Sequence, residues 1–141
     1  QTPVRVSLAT DGTALETLAG RGVLAPPDRH LTVAGGRIRL LDGPPRHSCR
    51  PSIDTLFESI AAECGPAAVA ALLTGMGRDG ATGLLAIRAA GGRTIAQDAE
   101  TSIVHGMPRE AMLLGAAGMV LPLGQIGPAI ARDLRVPEPA K

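Results

Sequence analysis

Apolar and polar residues alternate at Val4, Val6 and Leu8, the two-residue period of a strand, and Asp11-Gly12 then supplies a turn. A second apolar stretch, residues 23–25, stops at Pro26-Pro27. Residues 31–33 and 37–41 flank Gly35-Gly36, which predicts a short hairpin. Asp42-Gly43-Pro44-Pro45 ends it, and the stretch on to Pro51 reads as extended surface. The period then changes. Ser52 suits the cap of a helix running to about Glu63, with Ile53, Leu56, Phe57 and Ile60 on one face. Gly65-Pro66 breaks that helix. AAVAALL, residues 67–73, is a continuous apolar run of the kind expected for a strand buried on both faces. A glycine-rich turn follows, then a helix over 81–90, a strand at 93–97 and a helix that Pro108 opens and Gly115 ends. A strand at 118–122 and an amphipathic helix at 125–134 complete the pattern.

Helices alternating with buried strands predict the α/β class. The expected architecture is a largely parallel, doubly wound sheet flanked by helices, with a short β-hairpin in the N-terminal third. One domain over residues 1–141 accounts for the length, with a flexible proline-rich tail at 136–141. A hydrophobic fraction of 45% and a charged fraction of 19% are values of a folded globular chain. Net charge is +1 with both signs interspersed, and Phe57 is the single aromatic residue. Nucleic acid is therefore not an expected partner, since there is neither a basic stripe nor a stacking platform. No apolar run reaches the roughly 18 residues of a membrane span, so no membrane insertion is expected. Cys49 and Cys64 are too few for a disulfide framework, which points to a reducing cytoplasm. His47-x-Cys49 offers only two close ligands without a matching second pair, so no metal is expected. The chain begins with Gln1, as a fragment or a processed product would.

The chemistry concentrates in LLTGMGRDGATG, residues 72–83, where four glycines surround Arg78 and Asp79. Gly75-x-Gly77-x-x-Gly80 has the glycine spacing of a dinucleotide-binding turn, and Asp98 ends the next strand, where such a fold places its ribose-binding acid. Against this, Asp79 would stand among the N–H groups that must receive a pyrophosphate. A second reading takes Asp79 as the working group, past the carboxyl end of a parallel strand. There it would orient a histidine for acyl transfer, while the amides of Met76 or Gly77 serve a neighbouring oxyanion. A third has Asp79 simply cap the helix that follows it, as Thr82 would.

The segment 72–98, ending in RTIAQD, together with GMPREA at 106–111, resembles the catalytic domain of the bacterial chemotaxis protein-glutamate methylesterases, the CheB family. VLAPPDRHLTV, DGPPRHSCRPSIDTLF and GMVLPLGQIGPAI are similar to that family in the same order. The resemblance covers roughly residues 4–134 and implies an α/β sheet fold. It implies hydrolysis of γ-glutamyl methyl esters on the cytoplasmic helices of chemoreceptors, with deamidation of receptor glutamines, by a Ser-His-Asp triad and without a cofactor. On the matching motif Asp79 is the triad acid, and Met76 falls where the family places an oxyanion-hole amide.

The family's nucleophile lies in a G-x-S-x-G-G turn and its histidine in an H-M-P segment, and this sequence contains neither. Ser7, Ser48, Ser52, Ser59 and Ser102 lack such glycine flanks, and His30, His47 and His105 match other segments of the family. The expectation is a catalytic domain incomplete at its N-terminus, lacking the first strands of the family fold and inactive as it stands. Its upstream part and a receiver domain would be partners in the parent protein. Two alternatives stay open: a nonenzymatic receptor-docking remnant of the same fold, and a dinucleotide-binding domain. No role for Arg78 follows from the sequence.

Overall fold

The structure, a computed structural model, describes residues 4–134. The expected tail at 136–141 lies outside the described residues. Strand β1 (Arg5–Leu8) runs parallel to β2 (Arg21–Leu24), with a 3₁₀ turn at Leu15–Leu18 between them. Val4, Val6, Leu8 and Leu24 of this ribbon are exposed. The expected hairpin follows as β3 (His30–Ala34) and β4 (Arg37–Leu41), paired antiparallel through Gly35-Gly36. Both glycines have positive φ, 59° and 71°, the handedness that a two-residue hairpin turn demands. Leu31, Ile38 and Leu40 form a small core beneath the hairpin with Ala9.

Helix α1 (Ile53–Cys64) starts where Ser52 predicts it, and the Ser52 hydroxyl accepts the Thr55 N–H at 3.3 Å. It leads into β5 (Val69–Leu72), α2 (Ala81–Ala89), β6 (Arg93–Gln97), α3 (Met107–Leu113), β7 (Met119–Leu121) and α4 (Leu123–Asp133). The three strands form a parallel sheet in the order β5-β6-β7. Ala70 and Leu72 of β5 pack with Phe57, Leu84 and Ile87 on the α1–α2 side. Ile95 of β6 packs with Ile126 and Ala129 of α4 on the other side, so helices cover both faces. This is the α/β class that the helix–strand alternation predicts, a parallel sheet flanked by helices.

The apolar run at 67–73 differs from its expectation in one respect. It becomes a four-residue strand whose burial alternates, because β5 is an outer strand among the described residues and only β6 is sandwiched from every side. A run of alanine and leucine encodes apolar surroundings but not a place in the strand order.

Helices α1 and α2 cross closely, and Gly83 is the reason they can. A Cβ at Gly83 would lie 2.6 Å from the Phe57 Cβ and 3.1 Å from the Asp54 backbone. On helix propensity alone, Gly83→Ala would stabilise the chain by about 1 kcal/mol. At this crossing the methyl overpacks the core instead. The expected outcome is a net loss of roughly 1–3 kcal/mol, measured as a lower urea midpoint with unchanged slope. A higher midpoint would mean that the two helices part without cost.

Candidate active site

Asp79 lies in the loop between β5 and α2, just beyond the carboxyl end of the strand, and is 6% exposed. Its Oδ1 accepts the Ser52 hydroxyl at 2.8 Å and the Asp54 N–H at 3.1 Å, and its Oδ2 accepts the Ile53 N–H at 2.7 Å. These are donors at the start of α1. Asp79 is thus a cap, but of the helix before it in sequence, not of the one that follows. The start of α2 is served from the opposite direction: Oδ1 of Asp54, fully buried, accepts the Gly83 N–H at 2.6 Å. Each helix start is satisfied by a carboxylate held at the start of the other helix, and Thr82 caps nothing. Gly80 completes the crossing with φ 98° and no room for a side chain, since a Cβ would lie 2.7 Å from Leu72 Cδ1.

An ionised carboxylate offers about four acceptor positions. Asp79 uses three, which leaves Oδ2 one more. Next to it in the loop, the Met76 side chain is 84% exposed and Gly77 has φ 95°. Their N–H groups meet no protein acceptor among the described residues, while Gly75 anchors the loop by accepting the Gly106 and Met107 N–H groups at 3.2 and 2.9 Å. The loop therefore presents free amide donors beside an oriented carboxylate.

A serine and a histidine do stand near Asp79, but their wiring is structural. Ser52 donates to Asp79 and not to an imidazole. Nδ1 of His30 accepts the Ser52 backbone N–H at 3.2 Å, and its Nε2–H donates to the Pro44 carbonyl at 2.8 Å. Both ring nitrogens are spent on backbone, and Ser52 and His30 are 2% and 3% exposed. Neither can act as a nucleophile or base on an ester arriving from solvent.

The stretch before α1, read from the sequence as plain extended surface, is a folded turn. Arg46 and Cys49 exchange backbone hydrogen bonds at 2.9 and 2.8 Å, and the intervening His47 and Ser48 both have positive φ, 51° and 60°. Arg46 forks onto Glu58 at 2.5 and 2.7 Å, a pairing that raises its already high pKa, and Arg50 holds Asp28 at 2.7 Å. His47 Nε2 lies 3.0 Å from Asp54 Oδ2. A buried carboxylate that can only accept makes Nε2 the protonated nitrogen and leaves Nδ1 an acceptor. That Nδ1 receives the Nε–H of Arg78 at 3.3 Å. Sequence reasoning left both residues without a role, and no local signal ties positions so far apart in the chain.

One ring nitrogen of His47 and one oxygen each from Asp54 and Asp79 lie within 4.8 Å of one another. A cation there would compete with the helix-cap donors for the carboxylates and sit near Arg46, whose Nε is 4.0 Å from Asp54 Oδ2. The donor set fits caps better than a metal centre. Cys49 is turned toward the His47 carbonyl at 3.4 Å, and burial pushes the Cys64 thiol up, away from thiolate chemistry. The dinucleotide reading meets the same obstacle: Asp54 occupies the α2 start that a pyrophosphate would need. Asp98 is engaged locally, with hydrogen bonds from the Thr101 hydroxyl and amide holding its carboxyl below the usual range.

Sheet order, helix placement and a carboxylate-bearing glycine loop at the strand ends define an α/β domain with its site at the carboxyl edge of a parallel sheet. The chain belongs to the CheB methylesterase family, whose family model matches residues 1–130. It is 50% identical over 130 residues to protein-glutamate methylesterase/protein-glutamine glutaminase 1 of Anaeromyxobacter dehalogenans, covering 90% of this chain and 37% of that protein. With the enzyme of that name from Agrobacterium fabrum it shares 50% over 129 residues, covering 89% and 36%. The crystal structure of the Thermotoga maritima CheB methylesterase catalytic domain superposes with a TM-score of 0.80 at 31% identity, over 89% of this chain and 67% of that one. The chain thus spans little more than a third of the curated relatives it matches.

Removing the Asp79 carboxylate should leave three donors at the start of α1 without their acceptor. Asp79→Ala is expected to cost roughly 2–4 kcal/mol, summed from a lost cap and buried donors left unpaired. Asp79→Asn keeps one acceptor oxygen and should cost less. Urea unfolding of both variants checks the order, and equal stability to wild type would show that α1 needs no cap here.

Proposed function

We propose that the protein carrying this chain is a protein-glutamate methylesterase that also deamidates protein glutamine. In this reading the chain supplies the triad acid, Asp79, and the oxyanion donor, the Met76 N–H, with Gly77 bordering the acyl group. The observation that carries it is the Asp79 carboxylate, fixed by three donors with one acceptor position unspent, in a loop whose amides are free. The nucleophilic serine and the histidine come from the part of such a protein that this chain does not match. The histidine removes the serine proton, the serine oxygen attacks the ester carbonyl, and the loop N–H groups hold the oxyanion. Asp79 keeps the imidazole in the required tautomer and stabilises the imidazolium. Methanol, or ammonia from glutamine, leaves with the proton, and water then releases the glutamate.

The names of the relatives support this chemistry. The substrates are the cytoplasmic helices of methylated chemoreceptors, a receiver domain is the regulatory partner, and the protein works in the cytoplasm. No helix among the described residues is long and apolar enough to cross a membrane. One observation favours a nonenzymatic docking role for the chain by itself: among the described residues no serine hydroxyl donates to an imidazole.

Methanol release by the wild-type full-length gene product separates these two readings, and Asp79→Asn in it tests the triad assignment. With folding verified and rates taken per folded molecule, kcat for methanol release from methylated receptor should fall about 10³–10⁴-fold. Retention of more than a tenth of the wild-type rate would make Asp79 a cap and nothing more. The 141-residue chain alone should show no turnover above background.

A further inference from the structure

Beside the Asp79 loop lies an open cleft of about 720 Å³ whose walls carry His47, Ser48, Arg78, His105, Arg109 and Glu110. Gly77 lines it too, so it adjoins the amides assigned to the oxyanion. Its charge is one-sided: the guanidinium groups of Arg78 and Arg109 face a single carboxylate, that of Glu110. Arg46 and Arg50, a few residues away, are satisfied by Glu58 and Asp28. Arg78 and Arg109 form no ion pair among the described residues. Nε2 of His105 is buried and has no hydrogen-bond partner there.

The cleft is also built. His47 and Ser48 hold a left-handed turn that ordinarily takes asparagine and glycine, a conformation costing of order 1 kcal/mol or more per residue with a side chain. The turn carries His47 onto Asp54, which fixes the ring, and the ring's second nitrogen holds Arg78 by Nε. This leaves both terminal amino groups of the Arg78 guanidinium unengaged among the described residues, the fork that pairs with a carboxylate.

We propose that this cleft binds a carboxylate of an acidic protein segment, an unesterified glutamate on the same substrate helix as the ester, with Arg78 and Arg109 as ligands and His47 as the residue that positions Arg78. The proposal rests on the methylesterase reading for the identity of the substrate, but not for the anion site itself. A polyanion such as nucleic acid fits less well, since the chain's net charge is +1 and its charges of both signs are interspersed rather than gathered into a basic stripe.

Two labelled helical peptides test it by fluorescence anisotropy against the full-length gene product. One carries glutamates flanking a central glutamine, and in the other every flanking glutamate is glutamine. Wild type should bind the acidic peptide at least tenfold more tightly, and added salt should erode the difference. Arg78→Ala and Arg109→Ala should each remove most of that preference while binding of the neutral peptide stays the same. His47→Ala should weaken acidic-peptide binding severalfold. His47→Gln, whose amide can both donate to Asp54 and accept from Arg78, should restore it, which a merely structural histidine would not require. On methylated receptor, Arg78→Ala should raise KM far more than it lowers kcat. The proposal is overturned if wild type binds both peptides equally or neither, or if the double arginine variant keeps the acidic preference. Charge-selective binding without esterase activity would instead sink the proposed function and leave the anion site standing.

Discussion

Everything near the site depends on a pair of crossed helix caps. Asp79, from the loop that leads into α2, closes the start of α1, and Asp54, from the start of α1, closes the start of α2. Each carboxylate meets the positive end of a helix and satisfies N–H groups that have no partner inside it. The exchange works only if the two helix starts lie almost in contact. Gly83 and Gly80 allow that approach, and Phe57, Leu72 and Leu84 make it favourable by burying their side chains. Neither cap is separable from the core beneath it.

The arrangement ties the group proposed as triad acid to stability. A triad acid has to be immobile, buried and still able to accept one more hydrogen bond. Three donors from α1 supply the first two properties, and the geometry of a carboxylate leaves room for the third. Asp54 plays a similar double part on the other side of the crossing. Its second oxygen holds His47, and through His47 it fixes Arg78 at the cleft. The Asp79 carboxylate and the Arg78 side of the cleft are thus both positioned through one helix pair.

Much of this was legible in the chain. The hairpin at Gly35-Gly36, the helix beginning at Ser52, the alternation of helices and strands and the turn carrying Asp79 all follow from local patterns. Period, caps and glycine placement act over a few residues, so a sequence states them directly. The motifs TGMGRDG and GMPREA also carried the family.

What tertiary structure alone decided is which distant groups meet. The sequence offered Asp79 as a triad acid or as a cap for the helix that follows, Ser52 as only a helix start, and no role for His47 or Arg78. In the fold Asp79 serves α1, Ser52 bonds to Asp79, and His47 joins Asp54 to Arg78. Each of these contacts except His47–Asp54 spans more than twenty positions, and even that one depends on a left-handed turn that no glycine announced. A carboxylate's partner is set by where packing brings helix starts together, and packing sums the whole core. The same acid reads identically in one dimension whether it faces the helix ahead of it or the helix behind.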